Sequence, residues 1–243
     1  MDQIKNRLIF ALEARGLNQA EEWVERLSDL VGMFKIGKQL FVREGPAAVR
    51  MVQALGGRIF LDLKFHDIPF TVAEAAEEAS RLQVEMFNVH ALGGKAMMAA
   101  ARQGVDRVAQ ESGRPGPKVL GVTILTSLAN ADLAELGMGP VKDQVLKLTA
   151  LAQKAGLDGV VASSLEAEAI RRECGPEFLI VVPGIRRSAG EAADQKRVMT
   201  PADAVRAGAD FLVVGRPIRE AKDPRAQAET ILQEMAQARK GLP

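Results

Sequence analysis

A chain of 243 residues, 47% of them hydrophobic, is long enough to bury one sizeable α/β core. A formal net charge of +1 gives no electrostatic reason to expect nucleic acid or an anionic membrane as a partner. The absence of tyrosine argues against a base-stacking platform, and the single cysteine, Cys174, excludes an internal disulfide, which fits a reducing compartment.

The N-terminal residues Met1 to Arg7 show no apolar signal core and lead into a first strand, Leu8–Leu12. Further short runs rich in Val, Ile, Leu and Phe follow at Met33–Gly37, Ile59–Leu63, Met86–His90, Val119–Ile124, Gly159–Ala162, Leu179–Val182 and Phe211–Gly215. They mostly lack polar alternation, as strands covered by helices do. Amphipathic stretches lie between them at Gln19–Leu27, Pro46–Leu55, Val72–Leu82, Lys95–Ala109, Val141–Ala155, Ser164–Arg172, Pro201–Ala207 and Pro224–Arg239. Ser164, Thr200-Pro201 and Asp223-Pro224 are start signals, while Gly156 and Gly208 sit where helices should stop. Strands alternating with helices in this way predict a (β/α)8 TIM barrel in a single domain covering residues 1–243. An open doubly wound sheet competes, but no Gly-x-Gly-x-x-Gly turn follows the first strand. No stretch approaches the roughly 20 apolar residues of a membrane helix, so a cytoplasmic protein without a membrane partner is expected.

In a barrel the chemistry belongs to the loops after the strands. Lys35 lies on the second strand among apolar neighbours. Alone it reads as a snorkelling surface lysine; beside an inward Asp62 it reads as a site residue. The third strand opens the densest segment, Phe60-Leu61-Asp62-Leu63-Lys64-Phe65-His66-Asp67-Ile68-Pro69. Strand alternation puts Asp62 and Lys64 on one face with Phe60, and leaves Leu61, Leu63 and Phe65 on the other. An inward pair there either faces the active-site mouth or closes the barrel top as a structural ion pair. Pro69 ends the strand, so Asp67 lies beyond it.

Asn88 and His90 on the fourth strand should point inward, as satisfied polar groups lining the barrel. Neither His66 nor His90 has a second ligand at metal-site spacing, so no metal site is expected. Leu125-Thr126-Ser127 could offer amides and a hydroxyl to a polar ligand, or begin a helix. Cys174 reads as an inert residue at a helix end. After the seventh strand comes Pro183-Gly184-Ile185-Arg186-Arg187, then a long polar segment to Thr200, containing Gln195, that reads as a lid. After the eighth strand, Gly215 and Arg216 offer either an oxyanion grip or an ordinary strand-to-helix turn.

Taken together these motifs resemble the orotidine 5′-monophosphate decarboxylase family, in its bacterial branch. The similarity runs from Leu8-Ile9-Phe10-Ala11-Leu12 through Phe34-Lys35-Ile36-Gly37, the third-strand segment, Asn88-Val89-His90-Ala91, Leu125-Thr126-Ser127 and Asp194-Gln195-Lys196-Arg197 to Gly215-Arg216-Pro217. Related barrels that use magnesium share Asp-x-Lys-x-x-Asp, but lack the Asp-Ile-Pro, Leu-Thr-Ser and Pro-Gly-Ile-Arg set. The resemblance implies cofactor-free decarboxylation of orotidine 5′-monophosphate to uridine 5′-monophosphate, the last step of de novo pyrimidine biosynthesis. It implies a catalytic array of Lys35, Asp62, Lys64 and Asp67, with Lys64 as proton donor. It also implies a homodimer in which Asp67, Ile68 and Thr71 serve the neighbouring subunit's site. Ser127 and Pro183 would meet the pyrimidine; Arg186, Gln195, Gly215 and Arg216 would serve substrate binding, the last three at the phosphate. Glu13 departs from the family, which usually carries Asp there to bond the ribose, and Phe70 stands where Asn is common.

Overall fold

The computed structural model describes residues 2–185 and 199–241. The first third comprises α1 (Asp2–Lys5), β1 (Leu8–Leu12), α2 (Leu17–Leu27), β2 (Met33–Gly37), α3 (Lys38–Glu44), α4 (Pro46–Ala54), β3 (Ile59–Phe65) and α5 (Pro69–Arg81). The middle holds β4 (Met86–His90), a 3-10 turn (Ala91–Gly93), α6 (Gly94–Ser112), β5 (Lys118–Val122), α7 (Asn130–Glu135) and α8 (Val141–Lys154). The remainder is β6 (Gly159–Val161), α9 (Ser164–Cys174), β7 (Leu179–Val182), α10 (Pro201–Arg206), β8 (Phe211–Val214), α11 (Arg216–Arg219) and α12 (Pro224–Lys240). Each strand pairs in parallel with the next, and β1 pairs with β8, closing the expected barrel.

Strand alternation sorts the apolar side chains into two layers. Ile9, Ala11, Met33, Phe60, Met86, Leu120, Val181 and Val213 fill the barrel interior. Leu8, Phe10, Leu12, Phe34, Ile36, Leu61 and Phe87 face outward into the shell of helices. That two-sided burial is why the strands read as continuous apolar runs.

Several boundaries differ from the sequence expectation. Ser163, not Ser164, caps α9, its hydroxyl accepting from the Leu165 amide. α3, α7 and α11 were not anticipated; each is a short helix pinned by one buried apolar side chain, Leu40, Leu133 or Ile218. β3 runs two residues past Leu63, and its pairing with β4 shifts register between Leu61 and Phe65.

The opposite end of the barrel carries polar clamps. Asp210, just before β8, accepts from Arg171 at 2.5 Å and from the Ile180 amide at 2.9 Å. Arg171 also donates to the carbonyls of Gly175, Phe178 and Gly208, so one guanidinium ties α9 to the starts of β7 and β8. Asp210→Ala is expected to cost about 2 kcal/mol of stability, because it removes the counter-charge of Arg171 and the acceptor of the Ile180 amide. A lowered denaturant midpoint with unchanged kcat would show that this end is structural. Among the described residues no helix is long and apolar enough to cross a membrane.

Candidate active site

The C-terminal strand ends surround a cavity of about 550 Å³, a size ordinary for small-molecule sites. Lys35, Asp62 and Lys64 line one side, and Leu125, Thr126 and Ser127 line another. Pro183 and Gly184 follow β7, Gly215 and Arg216 follow β8, and Glu13 follows β1. The interior residues Phe60, Val122, Val161 and Val213 form an apolar floor.

The Asp62 carboxylate is the centre of the charged cluster. Its Oδ2 lies 3.0 Å from the Lys35 Nζ, and its Oδ1 lies 2.5 Å from the Lys64 Nζ. Asp62 is 8% exposed. Register explains the reach of Lys35. Its backbone is level with Phe60, while Gly37 is level with Asp62. A Cβ on Gly37 would stand 3.4 Å from the Lys35 ammonium, which places the end of that side chain alongside Gly37, level with Asp62. Burial alone would raise the Asp62 pKa. The two ammonium groups and the hydrogen bonds from Lys64 and Asn88 outweigh it and hold the carboxyl below the ordinary aspartate value. The described cluster therefore holds two ammonium groups against one ionised carboxylate.

Asn88 on β4 joins this cluster. Its Nδ2 donates to Asp62 Oδ1 at 2.7 Å, and its Oδ1 accepts from the Lys64 amide at 2.8 Å. As expected, it is inward and satisfied. His90 is not: its Nδ1 is buried without a hydrogen-bond partner among the described residues. The His66 ring lies 5.3 Å away, tilted by 44°. Burial, then the nearby His66, Lys64 and Lys38, lower the His90 pKa to about 4. A neutral imidazole needs no counter-charge, which is how this site tolerates one.

At the far side of the cavity, Gly215 sits against β1: a Cβ there would meet that of Ala11 at 3.1 Å. Glu13 is exposed and ion-paired with Arg219 of α11. Sequence reasoning passed over Arg219. Its signal was present, since Arg216 and Arg219 lie one turn apart on the helix after β8, and β8 pairs with the strand that Glu13 follows.

Asp67, Ile68 and Thr71 are exposed, and they do not line this cavity. The Asp67 carboxylate accepts from the Ile68 amide at 2.7 Å. Ile68 is 64% exposed, Phe70 72% and Leu92 48%. The structure thus brings Lys35, Asp62, Lys64, Ser127, Pro183, Gly215, Arg216 and Glu13 around one cavity and leaves Asp67, Ile68 and Thr71 outside it. Arg186 and Gln195 lie outside the described residues. Among the described residues no three His, Cys, Asp or Glu side chains are grouped as a metal site.

Known proteins share both the sequence and the fold. The model of the orotidine 5'-phosphate decarboxylase / HUMPS family matches residues 6–231. The chain is 55% identical over 235 residues to the orotidine 5'-phosphate decarboxylase of Geobacter sulfurreducens, covering 96% of this chain and 98% of that protein. It is 53% identical over 233 residues to the protein of the same name from Moorella thermoacetica, covering 95% and 92%. The crystal structure of orotidine 5'-phosphate decarboxylase from Lactobacillus acidophilus superposes with a TM-score of 0.82 at 36% identity, over 94% of this chain and 98% of that one. The Pyrococcus horikoshii structure, 23% identical with a TM-score of 0.74 over 94% and 99%, shares the fold. The barrel, the order of its motifs and this likeness across nearly the whole length agree: the chain belongs to the orotidine 5'-phosphate decarboxylase / HUMPS family.

Proposed function

We infer that this chain is an orotidine 5′-phosphate decarboxylase, a single catalytic domain that converts orotidine 5′-monophosphate to uridine 5′-monophosphate and carbon dioxide. The observation that carries this reading is the Lys35–Asp62–Lys64 cluster on the wall of a nucleotide-sized cavity. The relatives at 55% identity bear the same name.

Breaking the bond between the pyrimidine ring and its carboxylate leaves an electron pair on a ring carbon. Carbon dioxide departs, and the Lys64 ammonium gives its proton to that carbon; solvent then reprotonates the amine. Before transfer, the same ammonium stabilises the developing negative charge. Preorganised charges in a water-poor site do this without reorganising as the bond breaks. Asp62 holds the Lys64 ammonium at 2.5 Å, and Lys35 prevents Asp62 from taking up a proton in its place. Arg216 and Gly215, with Gln195, would receive the phosphate, and Ser127 and Pro183 the pyrimidine. Arg186 would also contact substrate, and Glu13, steadied by Arg219, would reach the ribose. Remote binding energy at the phosphate then serves the reacting ring.

The site is completed by a second copy of the chain. Two ammonium groups face one carboxylate, and a further anion from Asp67 of a neighbouring subunit would balance them. The exposure of Asp67, Ile68 and Thr71 beside the apolar Phe70 and Leu92 supports a homodimer that buries this rim. The protein acts in the cytoplasm on a free nucleotide, without nucleic acid or membrane.

The test is a spectrophotometric assay with orotidine 5′-monophosphate, run with and without a chelator. One uridine 5′-monophosphate and one carbon dioxide per substrate, at an unchanged rate under chelation, is expected. Absent turnover, or a rate that collapses with chelator, would overturn the reading.

A further inference from the structure

The third strand does something at Lys64 that its sequence does not announce. Between the pairs Leu61–Phe87 and Phe65–Val89, β3 advances four residues while β4 advances two. The slack is taken up at Lys64, whose φ of 54° lies in the left-handed region. A long side chain seldom adopts that conformation, and it persists only where the surroundings impose it. Where the register is broken, the Lys64 amide donates to the Asn88 carboxamide oxygen at 2.8 Å. The other end of the same carboxamide donates to Asp62. Its orientation is unambiguous, because a backbone amide only donates and a carboxylate only accepts. Asn88 is 1% exposed, so no water competes for either bond.

We propose that Asn88 is a positioning residue: it holds Lys64 in its left-handed conformation and fixes the Asp62 carboxylate, aiming the Lys64 ammonium at the reacting carbon. The inference rests on the decarboxylase reading. Asn88 does not line the cavity. Its loss should therefore spare nucleotide binding and fall on the chemical step. An ångström of misplacement at a reacting group costs about 10²-fold in rate.

The experiment compares wild type, Asn88→Ala and Asn88→Asp in steady-state turnover of orotidine 5′-monophosphate across pH, with affinity for uridine 5′-monophosphate measured alongside. Asn88→Ala is expected to lower kcat by about 10²-fold, with KM and product affinity within about threefold of wild type. Asn88→Asp keeps the acceptor for the Lys64 amide, which protects the fold, but sets a second carboxylate against Asp62. The pair should share a proton, so the acid limb of kcat should move up by at least about one pH unit. A purely structural asparagine would not move that limb. The inference is overturned if wild type is active and Asn88→Ala keeps kcat within about threefold. It also fails if the loss lies in KM, or if the Asn88→Asp pH profile overlays that of wild type. An Asn88→Ala protein that does not fold leaves the decision to the Asn88→Asp profile. An inactive wild type removes the decarboxylase reading first, and this inference with it.

Discussion

Lys64→Ala is expected to lower kcat by roughly 10⁴-fold or more, with the fold and the subunit assembly unchanged. The size follows from two roles carried by one ammonium. Proton donation alone is worth about 10² to 10⁴-fold, and stabilisation of the ring carbanion adds to it. Nothing else described in the cavity can take over: the Lys35 ammonium is held at the other oxygen of Asp62, 3.0 Å from it. Stability should change little. The Lys64 side chain is 24% exposed, and its removal leaves Asp62 with both Lys35 and Asn88. Circular dichroism and sedimentation check the structure, and single-turnover measurements check the chemistry. Retention of more than a few per cent of wild-type kcat would end the assignment of Lys64 as proton donor.

Lys64→Ala and Asp67→Ala subunits, each inactive alone, are expected to recover about one quarter of wild-type activity when refolded together in equal amounts. The reasoning is combinatorial. Half of the dimers formed are hybrids, and each hybrid has one site that combines an intact Lys64 with an intact Asp67 from across the interface. Its other site lacks both. The prediction depends on Asp67 serving the partner, a role supported by its place outside its own chain's cavity. If the mixture stays inactive while hybrid dimers are demonstrably present, the shared-site assignment fails. Asp67→Ala with full activity on its own would equally remove it.

Much of this protein could be read from its residues. The strands β1, β2 and β4 begin and end where the apolar runs do, because their apolar side chains are buried on both faces and their ends are marked by polar residues or glycine, while Pro183 closes β7. Lys35, Asp62 and Lys64 were legible as one cluster, since alternation turns Asp62 and Lys64 to one face and a lysine on the neighbouring strand is long enough to rise from the level of Phe60 to Asp62. The bulge in β3 was not legible: Leu63-Lys64-Phe65 contains no glycine to signal a left-handed residue, and the register shift against β4 is a relation between two strands that neither run shows alone. Asn88 was placed inward, but its two partners, the backbone amide of Lys64 and the carboxylate of Asp62, lie on another strand and could not be foreseen. The short helices α3, α7 and α11 escaped because one or two turns show too little periodicity to rise above a loop. The pairing of Glu13 with Arg219 joins residues 206 apart, a relation that local pattern does not carry. The role given to Asp67 came from family resemblance, not from strand alternation.

The β1–β8 seam has a consequence for how the protein is made. Glu13 leaves the ribosome well before Gly215, Arg216 and Arg219, the last of which lies 206 residues further along the chain. The pocket therefore does not exist in the nascent chain until the last strand has docked beside the first. A nucleotide can select only the closed ring, never a partly assembled one. At a concentration 100 times its dissociation constant, such a ligand would stabilise the ring by about 2.7 kcal/mol, so substrate supply and the lifetime of the folded enzyme are thermodynamically linked.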